Sequence, residues 1–381
     1  MNTEATLRSK AVVAGLGCTP FGVFPEEDAY TLGAQALGLA LADAGMARSE
    51  IDALIVVRIP DYQRFSQLYG IDPGIAFALA AQGRMSGLAM ELGASIVASG
   101  AARNVAIVYG NDGRSTGARY GGLADRYSGE GATHWFPYGM TSPGAAHAMM
   151  YAAHSHQYGT SPLALANIAV TFREHAALNP AAVFRKPITI EDHQSSRFIA
   201  EPFRLYDYCQ INDGGVALIL ARAERARDLP HRPVYVRGVE VATRLSGSQF
   251  PPADYWHAPM RQAARSIYAM AGLGPDDMDG LMIYDNFSAT VLFALEGFGY
   301  CAPGESGPWV CDGNLSLRGR YPANTHGGHL SESYMQGFGH LAEAVRQIRG
   351  DAGDRQIPGA HNIHYLCAAA ICSSVIFSDS P

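Results

Sequence analysis

The stretch Gly83-Arg84-Met85-Ser86-Gly87-Leu88 is a glycine turn running into an apolar segment, a setting in which a helix N-terminus can present a nucleophile. A cysteine there would gain thiolate character from the helix N–H groups. The side chain is instead Arg84, whose guanidinium stays protonated and cannot attack a carbonyl. Acyl transfer through this position is excluded. The second candidate is Asn324-Thr325-His326-Gly327-Gly328-His329, two imidazoles around a glycine pair. As metal ligands they lack a third partner at a recognisable spacing. The glycines most simply permit a tight turn, or a close approach of backbone to a bound group. The six cysteines (Cys18, Cys209, Cys301, Cys311, Cys367 and Cys372) show no CxxC spacing, so neither a zinc site nor a disulfide framework is indicated. No GxGxxG or GxxxxGK[ST] follows a strand pattern, so nucleotide binding by those loops has no support. No bound metal or cofactor is expected.

The elements that must position these residues follow a repeating grammar. AVVAGLG reads as a short apolar strand, TLGAQALGLALADAG as a helix with apolar residues on more than one face, and MARSEIDALIVV as a turn and second strand. The order returns in VYVRGVEVA, APMRQAARSIYAMAG and LGPDDMDGLMIYD. The two units align without gaps, Ala44-Gly45 on Ala271-Gly272, Ile51-Asp52 on Met278-Asp279 and Leu54 on Leu281. Any two βαβ units share a glycine at the helix end and an apolar strand. The repeated acidic register of the turn is what favours duplication. Two α/β halves are expected, 1–230 and 231–381, each a mixed sheet covered by helices, the first carrying a long insertion at about 110–207. Helical spacing in QYGTSPLALANIAVTFREHAALN makes that insertion structured.

With 381 residues, 48% of them hydrophobic, the chain can bury a sizeable core. A formal charge of −7 without blocks of like charge leaves no footprint for nucleic acid or an anionic membrane. No segment reaches the length of a bilayer span, and MNTEATLRSKAVVAGLG does not read as a signal peptide, so a cytoplasmic protein is expected.

The duplication and several local motifs resemble the thiolase superfamily over essentially the whole chain. The fold this implies is α/β, with the two halves forming a layered α-β-α-β-α core. In that family a catalytic cysteine stands in a C-x-S-G-L pattern at the start of a buried helix, and here the matching stretch is Arg84-Met85-Ser86-Gly87-Leu88. Sterol-carrier thiolases place a histidine in H-D-x-F, where this chain has Tyr284-Asp285-Asn286-Phe287. A second family histidine lies in G-H-P-x-G after an N-x-x-G-G loop; the loop is intact at Asn324 to Gly328, and the turn reads Ser333-Tyr334-Met335-Gln336-Gly337. Both histidine positions have become tyrosine.

The pairing is similar to the cysteine-lacking thiolase-like aldolases that cleave steroid side chains. PFRLYDYCQINDGGVAL and GHLAEAVRQIRGDAGDRQIPGA agree with that subgroup. The resemblance implies a retro-aldol cleavage of a β-hydroxyacyl-CoA, with Tyr284 and Tyr334 as acid and base, unassigned between them. His326, His329, Asp285, Gly327 and Gly328 would support the pocket or the enolate oxygen, with coenzyme A as part of the substrate. A tyrosine base would need its pKa of about 10 lowered by neighbouring positive charge or donors. The resemblance further implies a homodimer bound to a small OB-fold, zinc-ribbon partner protein. The glycine- and aromatic-rich segment between Gly110 and Pro143 would line a flat pocket for a ring system. Two rivals stand beside this reading: an acyltransferase using Cys367, although the family's C-x-G-G-G here reads Cys367-Ala368-Ala369-Ala370, and a non-catalytic lipid carrier or scaffold.

Overall fold

The computed structural model describes residues 7–80, 85–118, 142–243, 257–368 and 371–381. Arg84 and most of the segment expected to line the ring pocket lie outside the described residues. Strands β1 (Ala11–Cys18), β2 (Ala53–Val57), β3 (Ile75–Leu79), β4 (Asn104–Asn111), β7 (Gly214–Arg222), β8 (Tyr235–Thr243), β9 (Gly280–Ile283), β10 (Asn362–Cys367) and β11 (Ile371–Ser378) form one sheet, ordered β3-β2-β4-β7-β1-β8-β11-β10-β9. β5 (Phe198–Ala200) and β6 (Phe203–Arg204) make a separate small hairpin. β2 runs parallel to β3 and β4, and β9 parallel to β10; the other pairings in the large sheet are antiparallel. The two halves of the sheet meet at its middle, where Val12 opposes Tyr235, flanked by hydrogen bonds from Ser9 N–H to Val236 O and from Val13 N–H to Val234 O.

Alternate residues of these strands feed different layers because both faces are covered. On one outer side, Val12, Leu54, Val56 and Ala217 pack with Ala36, Leu37 and Ala40 of helix α1 (Ala29–Ala44). On the opposite outer side, Leu281, Ile283, Leu366 and Ile376 pack with Met260, Ala263 and Ile267 of the helix Ala258–Ala271. Between them lies a shared core, where Val13, Ile55, Ile107 and Leu218 from one half meet Ile363, Val375 and Phe377 from the other. The helices Met85–Ser99 and Phe338–Arg349 run through that middle layer. This is the expected α-β-α-β-α layering.

The repeated turn register has a physical cause. Asp52 Oδ2 accepts the backbone N–H groups of Arg103 (2.9 Å) and Asn104 (3.1 Å), tying the start of β2 to the start of β4. Asp279 Oδ2 accepts those of His361 (2.8 Å) and Asn362 (2.9 Å), tying β9 to β10 in the same way. The preceding helices end alike, at Gly45 and Gly272 in the left-handed conformation, with φ of 63° and 65°. The stretch from Gln157 to Asn179 proves to hold the end of one helix, Pro143–Tyr158, and the whole of another, Leu163–Ala177. Gly159 caps the first, so this stretch of the insertion runs through two helices rather than one.

Candidate active site

Tyr284 follows β9, whose last residues are zipped to the Asn324 loop: Ile283 N–H donates to Asn324 Oδ1 (2.6 Å) and Asn324 Nδ2 donates to Ile283 O (2.8 Å). Its own N–H donates to Leu366 O of β10 (2.8 Å). Tyr334 lies on the loop leading into the helix Phe338–Arg349, and its N–H donates to Asn212 Oδ1 (3.2 Å). These two supports, fifty residues apart in sequence, bring the tyrosine hydroxyls to 3.0 Å. The side chains are nearly enclosed, Tyr284 at 4% and Tyr334 at 6% exposure.

His329 stands against both tyrosines. Its ring meets Tyr284 edge-on at 4.6 Å and Tyr334 at 4.9 Å, with His340 behind it at 4.3 Å. Gly337 N–H donates to His329 Nε2 (2.9 Å), so that nitrogen carries the lone pair and Nδ1 carries the proton. Asp285 accepts backbone N–H groups from His329 (2.8 Å) and Leu330 (3.3 Å), together with His340 Nε2–H (2.9 Å). The His329 Nδ1 position is 3.4 Å from the same carboxylate.

This arrangement revises several sequence expectations. His326 and His329 had no third partner at a recognisable spacing; among the described residues the fold gathers His329 with Asp285 and His340, whose ligand atoms fall within 4.8 Å of one another. The tautomer at His329 argues against a cation there, because Nδ1, the atom facing Asp285, bears a proton. Nor does His329 offer an N–H to a substrate oxygen: one nitrogen accepts from Gly337 and the other faces Asp285. His326 points elsewhere, with Nε2 3.8 Å from Glu332 Oε2 and its ring 4.6 Å from His340. Gly327 and Gly328 make the tight turn, with φ of 107° and 62°. A Cβ on Gly328 would collide with Asp285 Oδ2, so the close approach this glycine permits is to that carboxylate.

The electrostatics also run against expectation. Burial, then the neighbouring Tyr334, hold the Tyr284 hydroxyl well above the ordinary tyrosine value of 10. Burial and then His340 hold His329 well below the usual imidazole range, so no positive charge there draws a tyrosine downward. His326 is lowered likewise, by burial first.

One group went unread in the sequence. Tyr365 OH lies 2.7 Å from Ser86 Oγ, beside Gly337, on the strand face shared by residues two apart from Cys367. Its only sequence signal was that alternation. Cys367 itself is fully buried at the end of β10.

Comparison with known proteins places this geometry. Residues 246–375 match the thiolase C-terminal domain-like family. The chain is 37% identical over 363 residues to the steroid side-chain-cleaving aldolase of Thermomonospora curvata, spanning 91% of this chain and 92% of that one. The chain belongs to the steroid side-chain-cleaving aldolases of the thiolase superfamily. This aldolase is also 35% identical over 360 residues to the 17-hydroxy-3-oxo-4-pregnene-20-carboxyl-CoA lyase of Mycobacterium tuberculosis, spanning 90% and 92% of the two chains. A solved Ltp2-ChsH2(DUF35) aldolase superposes on it with a TM-score of 0.90 at 33% identity, covering 98% of this chain and 99% of that one. Human mitochondrial 3-ketoacyl-CoA thiolase shares the fold at a TM-score of 0.73 and 14% identity, covering 99% and 100% of the two chains. Among the described residues of the aldolase, no helix is long and apolar enough to cross a membrane.

Proposed function

We propose that the chain cleaves the side chain of a steroid β-hydroxyacyl-CoA by a retro-aldol reaction, releasing a ring ketone and a short acyl-CoA. The observation that carries the reading is the 3.0 Å contact between two nearly enclosed tyrosine hydroxyls. The names of the two relatives support a steroid CoA ester. A 17-hydroxy substrate with a 20-carboxyl-CoA branch would yield a 17-ketone and propionyl-CoA; a two-carbon branch would yield acetyl-CoA.

The raised pKa of Tyr284 is compatible with this chemistry if neither tyrosine must rest as an anion. The substrate hydroxyl gives its proton to one tyrosine oxygen as the O–H electrons form the ketone and the Cα–Cβ pair moves into the thioester enolate. That tyrosine passes its own proton along the hydrogen bond to its partner. The partner's original proton closes the Cα–H bond, and both tyrosines end neutral. No covalent acyl-enzyme forms, which agrees with arginine at position 84. No bound cofactor is required, coenzyme A being the substrate's handle.

The chain is proposed to work as a homodimer with a small OB-fold, zinc-ribbon partner protein, supported by the solved aldolase whose name pairs Ltp2 with a DUF35 component. The deciding experiment mixes chain and partner with a 17-hydroxy steroid 20-carboxyl-CoA and follows ketone and propionyl-CoA by chromatography. Product formed by Tyr284→Phe and Tyr334→Phe as well as by the native complex would sink the mechanism. No product from the native complex would favour a carrier or scaffold.

A further inference from the structure

His340 lies outside the tyrosine pair, yet the contacts of the site converge on it. Its Nε2–H donates to Asp285 Oδ1 at 2.9 Å, and its ring backs His329 at 4.3 Å and stacks along Tyr284 at 6.4 Å and 23°. Asp285, His329 and His340 are all 0% exposed. A carboxylate so enclosed depends on its donors. Among the described residues it has three, the backbone N–H groups of His329 and Leu330 and the His340 ring, and of these only the last is a side chain that substitution can remove. The next proton within reach belongs to His329 Nδ1, 3.4 Å from Oδ1 and beyond good hydrogen-bonding geometry.

We propose that His340 is a positioning residue: by satisfying Asp285 it keeps His329 neutral, with its ring braced between Tyr284 and Tyr334. Without His340, Asp285 draws on His329, pulling the ring toward itself or protonating it to an imidazolium beside the tyrosines. Either change disturbs the hydroxyl contact through which the proposed relay runs. The titratable groups that face His340 are Asp285, His326, His329, Tyr284 and Tyr365. The catalytic arm of the proposal rests on the retro-aldol reading; the tautomer of His329 does not.

Three variants separate the possibilities. His340→Gln places an amide donor near the former Nε2–H, His340→Asn places it near Nδ1, and His340→Leu supplies none. Turnover should fall at least about 50-fold in His340→Leu and His340→Asn with KM within about threefold, and His340→Gln should recover to within about tenfold of the native chain. In His340→Leu the pH profile should gain an ionisation from His329, raised relative to the native ring, that is absent from the native and His340→Gln proteins. Nitrogen-15 resonances of the His329 ring, read on the free protein, should show a bare Nε2 and a protonated Nδ1 in the native chain, and a charged or moved ring in His340→Leu. If His340→Leu does not fold, the contrast of His340→Gln with His340→Asn and the native ring tautomer carry the test. Native-like turnover in His340→Leu, equal losses in His340→Gln and His340→Asn, or a protonated Nε2 in native His329 would overturn the proposal. A native complex that cleaves no steroid CoA ester would refute the retro-aldol reading, with the His329 tautomer still deciding the positioning claim.

Discussion

If Tyr284 and Tyr334 pass one proton between them, removing either hydroxyl breaks the chain at once. Each phenylalanine substitution then abolishes the same event. General acid–base steps contribute about 10² to 10⁴-fold, or about 2.7 to 5.5 kcal/mol of barrier, so each single variant should lose activity in that range. The double variant should lose hardly more than the worse single one, giving a coupling energy about as large as one single loss. The fold offers a second readout. Tyr334→Phe takes the 3.0 Å partner from the hydroxyl of Tyr284, a residue only 4% exposed, which should cost about 1 to 3 kcal/mol of stability. Removing both hydroxyls takes away the stranded Tyr284 group as well, so the double variant should be less destabilised than the sum of the singles. The assay is kcat/KM for ketone release by the four proteins with the partner present, alongside urea unfolding of each. Losses that multiply in the double variant would show that the tyrosines act independently and would refute the relay.

Two further outcomes follow from the loop below the pair. Burial pushes the Glu332 carboxyl from the ordinary 4.5 up to about 8, against the opposing pull of Arg346. The folded state therefore holds that proton more tightly than the unfolded chain, and this contribution to stability is lost as pH rises from about 4.5 to about 8, at up to about 1.4 kcal/mol per pH unit. Glu332→Gln should lose that slope, and a native-minus-variant difference that stays constant in urea unfolding between pH 5 and 8.5 would contradict it. Gly328→Ala puts a Cβ against Asp285 Oδ2 at φ 62°. A left-handed alanine costs about 1 to 2 kcal/mol, and disturbing the Asp285 hydrogen bonds adds about as much again, so thermal unfolding should fall by several degrees with activity lost alongside. Activity and melting temperature close to native would show that the loop tolerates the carboxylate's displacement.

Much of the fold was legible because it rests on local rules. Helix ends need a left-handed glycine, as at Gly45 and Gly272, and a strand start can be tied by an aspartate, as at Asp52 and Asp279, so the duplication left a readable register. The stretch from Gln157 to Asn179 was legible as helical but not as parts of two helices, since its periodicity runs through the Gly159 break. Within the site, the loss of a nucleophile at Arg84 is a matter of residue chemistry alone, and the two tyrosines were found through the family pattern around them.

The sequence by itself thus determined which groups are present and which chemistry they forbid. Only the tertiary structure decided what those groups do to one another. Asp285, His329 and His340 carry no spacing that announces a cluster, because they arrive from a strand end, a glycine turn and a helix. The direction of the Tyr284 and His329 pKa values was likewise beyond the sequence. Residue types nearby could have argued for a lowered tyrosine, but desolvation is a property of the enclosure, and here it comes first, with Tyr334 pushing Tyr284 and His340 pushing His329 the same way, so both groups stay neutral.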